Sequence, residues 1–167
     1  DLNATTVPGW INVEYASSDQ SVATVNNYGI VTAVGEGTAT ITLTVGDDIM
    51  YAINSTNVTV TVSKQESNMN VSMPENITVG KNTTVNVILP KDATGNVTVK
   101  VDGEAVDTAA VTDGSIDVTI PSMSARNHTV EIAYSGDDKY NSASKTAVIT
   151  VGKDSTNITA ADVTATY

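Results

Sequence analysis

Apolar and polar residues alternate along most of this 167-residue chain. In Ala39-Thr40-Ile41-Thr42-Leu43-Thr44-Val45 the odd positions are apolar and every even one is Thr. The same period of two runs through residues 58–62, 97–101, 116–120 and 130–134. Successive side chains of an extended strand point to opposite faces, so each run predicts a strand with one face buried and one wet. No window carries an apolar stripe at the helical period of about 3.6 residues.

Turn residues separate the runs. Asn26-Asn27-Tyr28-Gly29, Gly35-Glu36-Gly37, Gly46-Asp47-Asp48 and Thr94-Gly95-Asn96 fall between strands, as do Asp102-Gly103, Asp113-Gly114 and Gly136-Asp137-Asp138. Gly, Asn and Asp tolerate the positive φ that tight hairpins require. Short strands parted by turns every ~8–12 residues predict an all-β sandwich. The polar stretch 64–67 carries no apolar side chain and predicts a linker. Residues 1–63 and 68–152 are then two modules. Residues 153–167 form a second linker and a β-prone segment, either the start of a third module or a strand for donation to another copy.

Composition narrows the reading. With no Phe and no Cys in the chain, β-branched aliphatic residues must fill the core. Their stiff χ1 suits strands over helices. A β-sandwich without cysteine fits a prokaryotic surface better than an animal one. The net charge is −11 and the eight basic residues are scattered, which excludes nucleic acid and an anionic membrane as partners. No segment reads as a signal peptide or a membrane span, so an exported protein would carry both outside this stretch.

The segment Tyr15-Ala16-Ser17-Ser18, the strand Ser21-Val22-Ala23-Thr24-Val25 and the hairpin from Gly29-Ile30-Val31-Thr32-Ala33 to Gly35-Glu36-Gly37-Thr38-Ala39-Thr40-Ile41 closely resemble the bacterial immunoglobulin-like group 2 domain. That family opens with a strand that should precede Asp1, so the resemblance implies a first module lacking its opening strands. Residues 68–151 resemble a second, related immunoglobulin-like repeat. The matching blocks are Gly95-Asn96-Val97-Thr98-Val99-Lys100-Val101-Asp102-Gly103 and His128-Thr129-Val130, followed by Tyr134-Ser135-Gly136-Asp137-Asp138-Lys139-Tyr140. Together the repeats are similar to the large adhesin-like surface proteins of methanogenic archaea. The resemblance implies tandem immunoglobulin-like β-sandwiches in an extracellular stalk or adhesive segment. Its expected partners are neighbouring modules, another cell's surface protein or glycan, or a second copy by strand exchange through residues 157–167.

Candidate chemistry is sparse. With one His and no Cys, a nucleophile with a positioned base has almost no means of assembly, and no cofactor or catalytic residue is expected. His128 shares parity with Val130, Ile132 and Tyr134 and is expected to be a buried structural residue. Asp137 and Asp138, with Asp47 and Asp48, form a weak calcium candidate because Ca²⁺ takes about six to eight oxygens. Lys64, Lys81, Lys100 and Lys145 lack the buried setting that an isopeptide bond needs. Trp10 is expected to pack under the sandwich edge; it and Tyr28 are the aromatic contact candidates. The one abundant motif is Asn-x-Ser/Thr, at Asn3, Asn54, Asn57, Asn70, Asn76, Asn82, Asn96, Asn127 and Asn157. These nine are glycan-acceptor candidates on an exposed protein.

Overall fold

A computed structural model of the chain describes residues 1–6, 9, 11–46 and 50–165. Among the described residues all regular structure is β, in thirteen strands. No helix among them is long and apolar enough to cross a membrane. The chain divides into two compact units, Asp1–Gln65 and Glu66–Tyr167.

The first unit contains β1 (Glu14–Ser17), β2 (Ala23–Val25), β3 (Val31–Ala33), β4 (Gly37–Val45) and β5 (Asn54–Val62). Strands β1, β4 and β5 form one sheet in that order, and β2 pairs with β3 as a separate hairpin. The antiparallel register sets Ile41 opposite Val58 and Ala39 opposite Val60, while Thr40 faces Thr59 and Thr38 faces Thr61. Over this half of the ladder one face is therefore aliphatic and the other is a double row of hydroxyls. Val22, Ala23, Ala39, Ile41 and Leu43 are buried.

The second unit contains β6 (Asn70–Ser72), β7 (Asn76–Thr78), β8 (Thr83–Ile88), β9 (Asn96–Val101), β10 (Glu104–Ala110), β11 (Ser115–Ile120), β12 (Asn127–Tyr134) and β13 (Ala143–Gly152). They make a five-stranded sheet, β10-β9-β12-β13-β7, and a three-stranded sheet, β11-β8-β6. The inward positions of both sheets meet in one cluster. It joins Val85 and Val87 of β8 and Val118 and Ile120 of β11 to Val97 and Val99, Val130 and Ile132, and Ile149 and Val151 of the larger sheet. Tyr134 and Tyr140 supply its aromatic volume. The leading segment passes from one sheet to the other between β6 and β7, through Met73-Pro74-Glu75. There β7 pairs with β13 in parallel, Asn76 opposite Thr150 and Thr78 opposite Gly152.

Three stretches differ from the sequence expectation. Strand β5 begins at Asn54, four residues before the alternation becomes visible, because Asn54-Ser55-Thr56-Asn57 continues the ladder down β4 to Val45. The run 64–67 is not wholly solvated: Ser67 is buried, and Glu66 accepts a hydrogen bond from Asn141 at 3.1 Å. Residues 153–165 form no strand and are exposed throughout; β propensity alone does not make a strand without a partner.

Removing one inward side chain tests the packing. Ile132→Ala should destabilise the second unit by about 2–5 kcal/mol through lost burial and the cavity left behind. Thr146→Ala, on the exposed parity of β13, should change it by no more than about 0.5 kcal/mol. Denaturant unfolding of the two variants measures the difference.

Candidate functional site

The polar side chains best placed for chemistry lie at the two ends of β12. At its C-terminal end the chain leaves Tyr134, turns at Gly136 with φ +72°, and presents Asp137. A Cβ on Gly136 would lie 2.7 Å from the Ser142 nitrogen and 2.9 Å from the Tyr140 carbonyl oxygen, so only glycine fits this turn. The Asp137 carboxylate accepts five hydrogen bonds. The Thr94 N–H and hydroxyl donate to Oδ2 at 2.7 and 3.1 Å, and the Tyr134 hydroxyl at 3.1 Å. The Lys139 and Tyr140 N–H groups donate to Oδ1 at 2.8 and 2.7 Å. Burial alone would raise the pKa of this carboxyl, but the Thr94, Tyr140 and Lys139 N–H groups and the Thr94 hydroxyl outweigh it and hold the group well below the usual carboxylate range. Burial, and secondarily Asp137, push the Tyr134 phenol up to about 12. Beside this turn Tyr140 donates its hydroxyl to Asp92 at 2.7 Å, and Lys139 pairs with the same carboxylate.

The calcium reading meets this geometry directly. Five donors occupy the Asp137 oxygens that would face a cation, and Asp138 beside it is exposed. Among the described residues no three His, Cys, Asp or Glu side chains are grouped to hold a metal ion. Asp47, Asp48 and Trp10 lie outside the described residues.

At the N-terminal end of β12 a Ser, a His and an Asp come together. His128 is buried, with Nδ1 2.8 Å from Asp102 Oδ2. Its Nε2 lies 2.9 Å from the Ser124 carbonyl oxygen and 3.4 Å from the Ser124 hydroxyl. The order of groups is that of a nucleophile, base and orienting acid, but the shorter contact decides the chemistry. An Nε2–H donating to the carbonyl leaves no lone pair to take a proton from the hydroxyl. Asp102, at φ +52°, is equally committed. The Thr129 N–H donates to it at 3.0 Å and the Arg126 guanidinium at 2.6 Å. The Thr129 N–H first, then His128 and Arg126, hold its pKa at about 2 against the ordinary 3.8. The arrangement is a brace joining the β9–β10 turn to the start of β12.

The remaining candidates are distributed over the surface. All nine Asn of the Asn-x-Ser/Thr motifs are exposed. Tyr28 is 82% exposed, at the turn where the Asn26 side chain accepts the Tyr28 and Ile30 N–H groups at 2.9 and 3.0 Å. None of Lys64, Lys81, Lys100 and Lys145 is buried, and Lys100 pairs with Glu131 at 3.3 Å. A groove of about 550 Å³ in the first unit, between Leu2, Thr6 and Ile11 and the β4–β5 residues Leu43, Thr56 and Val58, is lined by no titratable side chain. Sequence reasoning placed His128 and the Asp137 turn correctly, but it missed Asp102, Asp92 and Thr94 as their partners. Those contacts span 24 to 48 residues and leave no local signal.

The fold and its committed polar groups define a class, tandem immunoglobulin-like β-sandwiches. The chain belongs to the bacterial Ig-like domain (group 3) family, whose model matches residues 69–152, half of the chain. The bacterial Ig-like domain (group 2) model matches residues 4–49. No curated protein matches the chain. Similar solved structures include the fibronectin(III)-like modules of CbhA from Clostridium thermocellum, with 16% identity, a TM-score of 0.40, and coverage of 51% of this chain and 96% of that one. Domains 1–6 of the surface layer protein SbsC match at 18% identity and a TM-score of 0.40, over 87% of this chain. This chain spans only 20% of that chain's length. A chimeric titin Z1Z2-Z1Z2 tandem matches at 10% identity and a TM-score of 0.38, over 90% of this chain and 87% of that one.

Asp102 sets the sign of an acid response. Its pKa is depressed in the folded state, so its stabilising contribution is complete above the ordinary value of 3.8 and is lost as pH falls toward about 2. Asp102→Asn should lower stability at neutral pH and flatten the loss between those limits. Urea unfolding across that pH range measures both effects, and a variant with the wild-type acid slope would remove Asp102 from this role.

Proposed function

We propose that the chain is a non-catalytic stalk segment of a multidomain cell-surface protein of the adhesin-like kind, holding other modules at a distance outside the cell. The group 3 and group 2 family matches support a module of this type, as do the hydrogen bonds that already occupy the Asp102, His128 and Asp137 side chains. The observation that carries the mechanical part of the reading is the parallel pairing of β7 with β13. These strands belong to the leading and final segments of the second unit, the two through which tension enters and leaves. Pulled from its ends, a parallel pair is loaded lengthwise, and its bonds must fail together rather than one at a time. The ladder is extended by Thr150 N–H donating to the Glu75 carbonyl at 2.8 Å and Val79 N–H donating to the Gly152 carbonyl at 2.9 Å.

Single-molecule pulling of the whole chain tests this. The second unit should open in one resolved force peak. Val79→Pro deletes the donor to Gly152, and should lower that peak while costing about 1 kcal/mol of equilibrium stability. A unit that extends without a peak, or a peak unmoved by the substitution, contradicts the load-bearing role of this pair.

A second reading is a filament subunit assembled by strand exchange through residues 157–167. It is favoured by the fully exposed, unpaired stretch 153–165, in which Ile158 and Val163 are 95% and 91% exposed. This reading expects self-association that weakens on dilution and disappears when residues 157–167 are deleted. Sedimentation as a monomer at micromolar concentration removes it.

A further inference from the structure

The edges of the three larger sheets differ in charge, and on those edges the glycan-acceptor motifs fall only on uncharged strands, while Asn96 and Asn127 begin the inner strands β9 and β12. The first unit's larger sheet ends on β1 and β5, the five-stranded sheet on β10 and β7, and the three-stranded sheet on β11 and β6. An edge strand exposes unpaired N–H and C=O groups, and charge, brevity or a bulge are the usual means of keeping another strand away. Strand β1 is four residues long and begins with Glu14. Strand β10 carries Glu104 and Asp107 and shifts register between Ala105 and Asp107. Strand β11 carries Asp117. No acceptor Asn lies on any of these three.

The opposite edges are different. Strands β5, β6 and β7 contain no charged residue and no proline, and their ladders run without a register shift; β6 and β7 have only their brevity, three residues each, as a guard. Strand β5 is the most exposed to risk. Its nine residues, Asn-Ser-Thr-Asn-Val-Thr-Val-Thr-Val, are β-prone and uncharged, the composition that pairs readily with other chains. Each of these edges carries acceptor motifs instead: Asn54 and Asn57 on β5, Asn70 on β6 and Asn76 on β7, all exposed. Asn57 stands opposite Thr42, Asn70 opposite Ile88 and Asn76 opposite Thr150. Beyond the reach of β7, the open stretch of β13 has its own guard in Lys145, a charged residue opposite buried Ile132 on the inward parity.

We propose that Asn54, Asn57, Asn70 and Asn76 carry N-linked glycans, and that these glycans keep the uncharged sheet edges from pairing with other copies of the chain. The reading goes beyond the stalk role and does not depend on it. The modification joins the anomeric carbon of an activated oligosaccharide to the Asn side-chain nitrogen. That C–N bond forms as the bond from the anomeric carbon to the phosphate of a lipid-linked donor breaks; the amide releases one proton and the lipid phosphate leaves. Another strand must approach within about 4.7–4.9 Å to pair. A hydrated oligosaccharide on the edge strand fills that space and cannot be buried without losing its water.

The test uses the whole chain secreted from a host that glycosylates Asn-x-Ser/Thr motifs. Site occupancy is mapped by peptide mass spectrometry, and association is followed by sedimentation. An edge variant with Asn→Gln at positions 54, 57, 70 and 76 is compared with a control variant with Asn→Gln at positions 3, 82, 127 and 157. The proposal expects the four edge sites to be occupied, the wild type and the control to stay monomeric, and the edge variant to associate at tenfold or more lower concentration. Unsubstituted protein from a host without glycosylation should associate like the edge variant, which separates loss of the glycan from any weakening of the fold by Gln. Unoccupied edge sites, edge and control variants that sediment alike, or an unglycosylated wild type that stays monomeric would each overturn it. Association of the edge variant that persists after deletion of residues 157–167 distinguishes edge pairing from strand exchange by the tail.

Discussion

Burial of one face of every long strand against the opposing sheet is the constraint on which the second unit depends. Val and Ile supply most of the buried positions, twelve of the sixteen in the core cluster, since the chain has no Phe. Each such side chain contributes about 1.5–3 kcal/mol relative to leaving it in water. None is individually decisive, so the sandwich holds through the regularity of the pattern. Regular alternation also requires the strand backbones to pair, because a one-residue slip would turn Val130, Ile132 and Tyr134 outward together. The tyrosines close the end of the core. Tyr134 and Tyr140 are buried as rings, yet each hydroxyl reaches a carboxylate, Asp137 or Asp92.

Those carboxylates explain why Ser124, His128 and Asp102, though in contact, form a brace rather than a nucleophile with a free base. Asp137 gathers donors from Thr94 and from the turn it begins, tying the loop before β9 to the loop after β12. Asp102 does the same at the other end, drawing Arg126, His128 and the Thr129 N–H to one group. A carboxylate whose oxygens are already filled by fixed donors is a strong brace and a poor base or ligand.

Most of the fold was legible because it is written in a local period. Residues 39–45 and 130–134 place their apolar side chains on alternate positions, and Gly136-Asp137 announces a turn within three residues. What escaped was of two sorts. The first half of β5 is polar on both parities, so Asn54-Ser55-Thr56-Asn57 gives no sign of which face is inward; only pairing with β4 makes it a strand. Strands β6 and β7 are three residues each, too short for any period to show. The partners Asp92 and Asp102 escaped for a topological reason, since they are brought to His128 and Tyr140 by strands that lie far apart in sequence. The acceptor motifs were visible as a list of positions, but that four of the nine lie on uncharged edge strands appears only once strand order is known.

Residue-resolved amide hydrogen exchange, followed by NMR, tests the central claim most directly. The account predicts slow exchange along the paired core strands β8, β9, β11 and β12. It also predicts protection of the Thr94, Lys139 and Tyr140 N–H groups, which lie outside the named strands and donate to Asp137. Fast exchange at those three groups, or protection that rises and falls with a helical period, would contradict it.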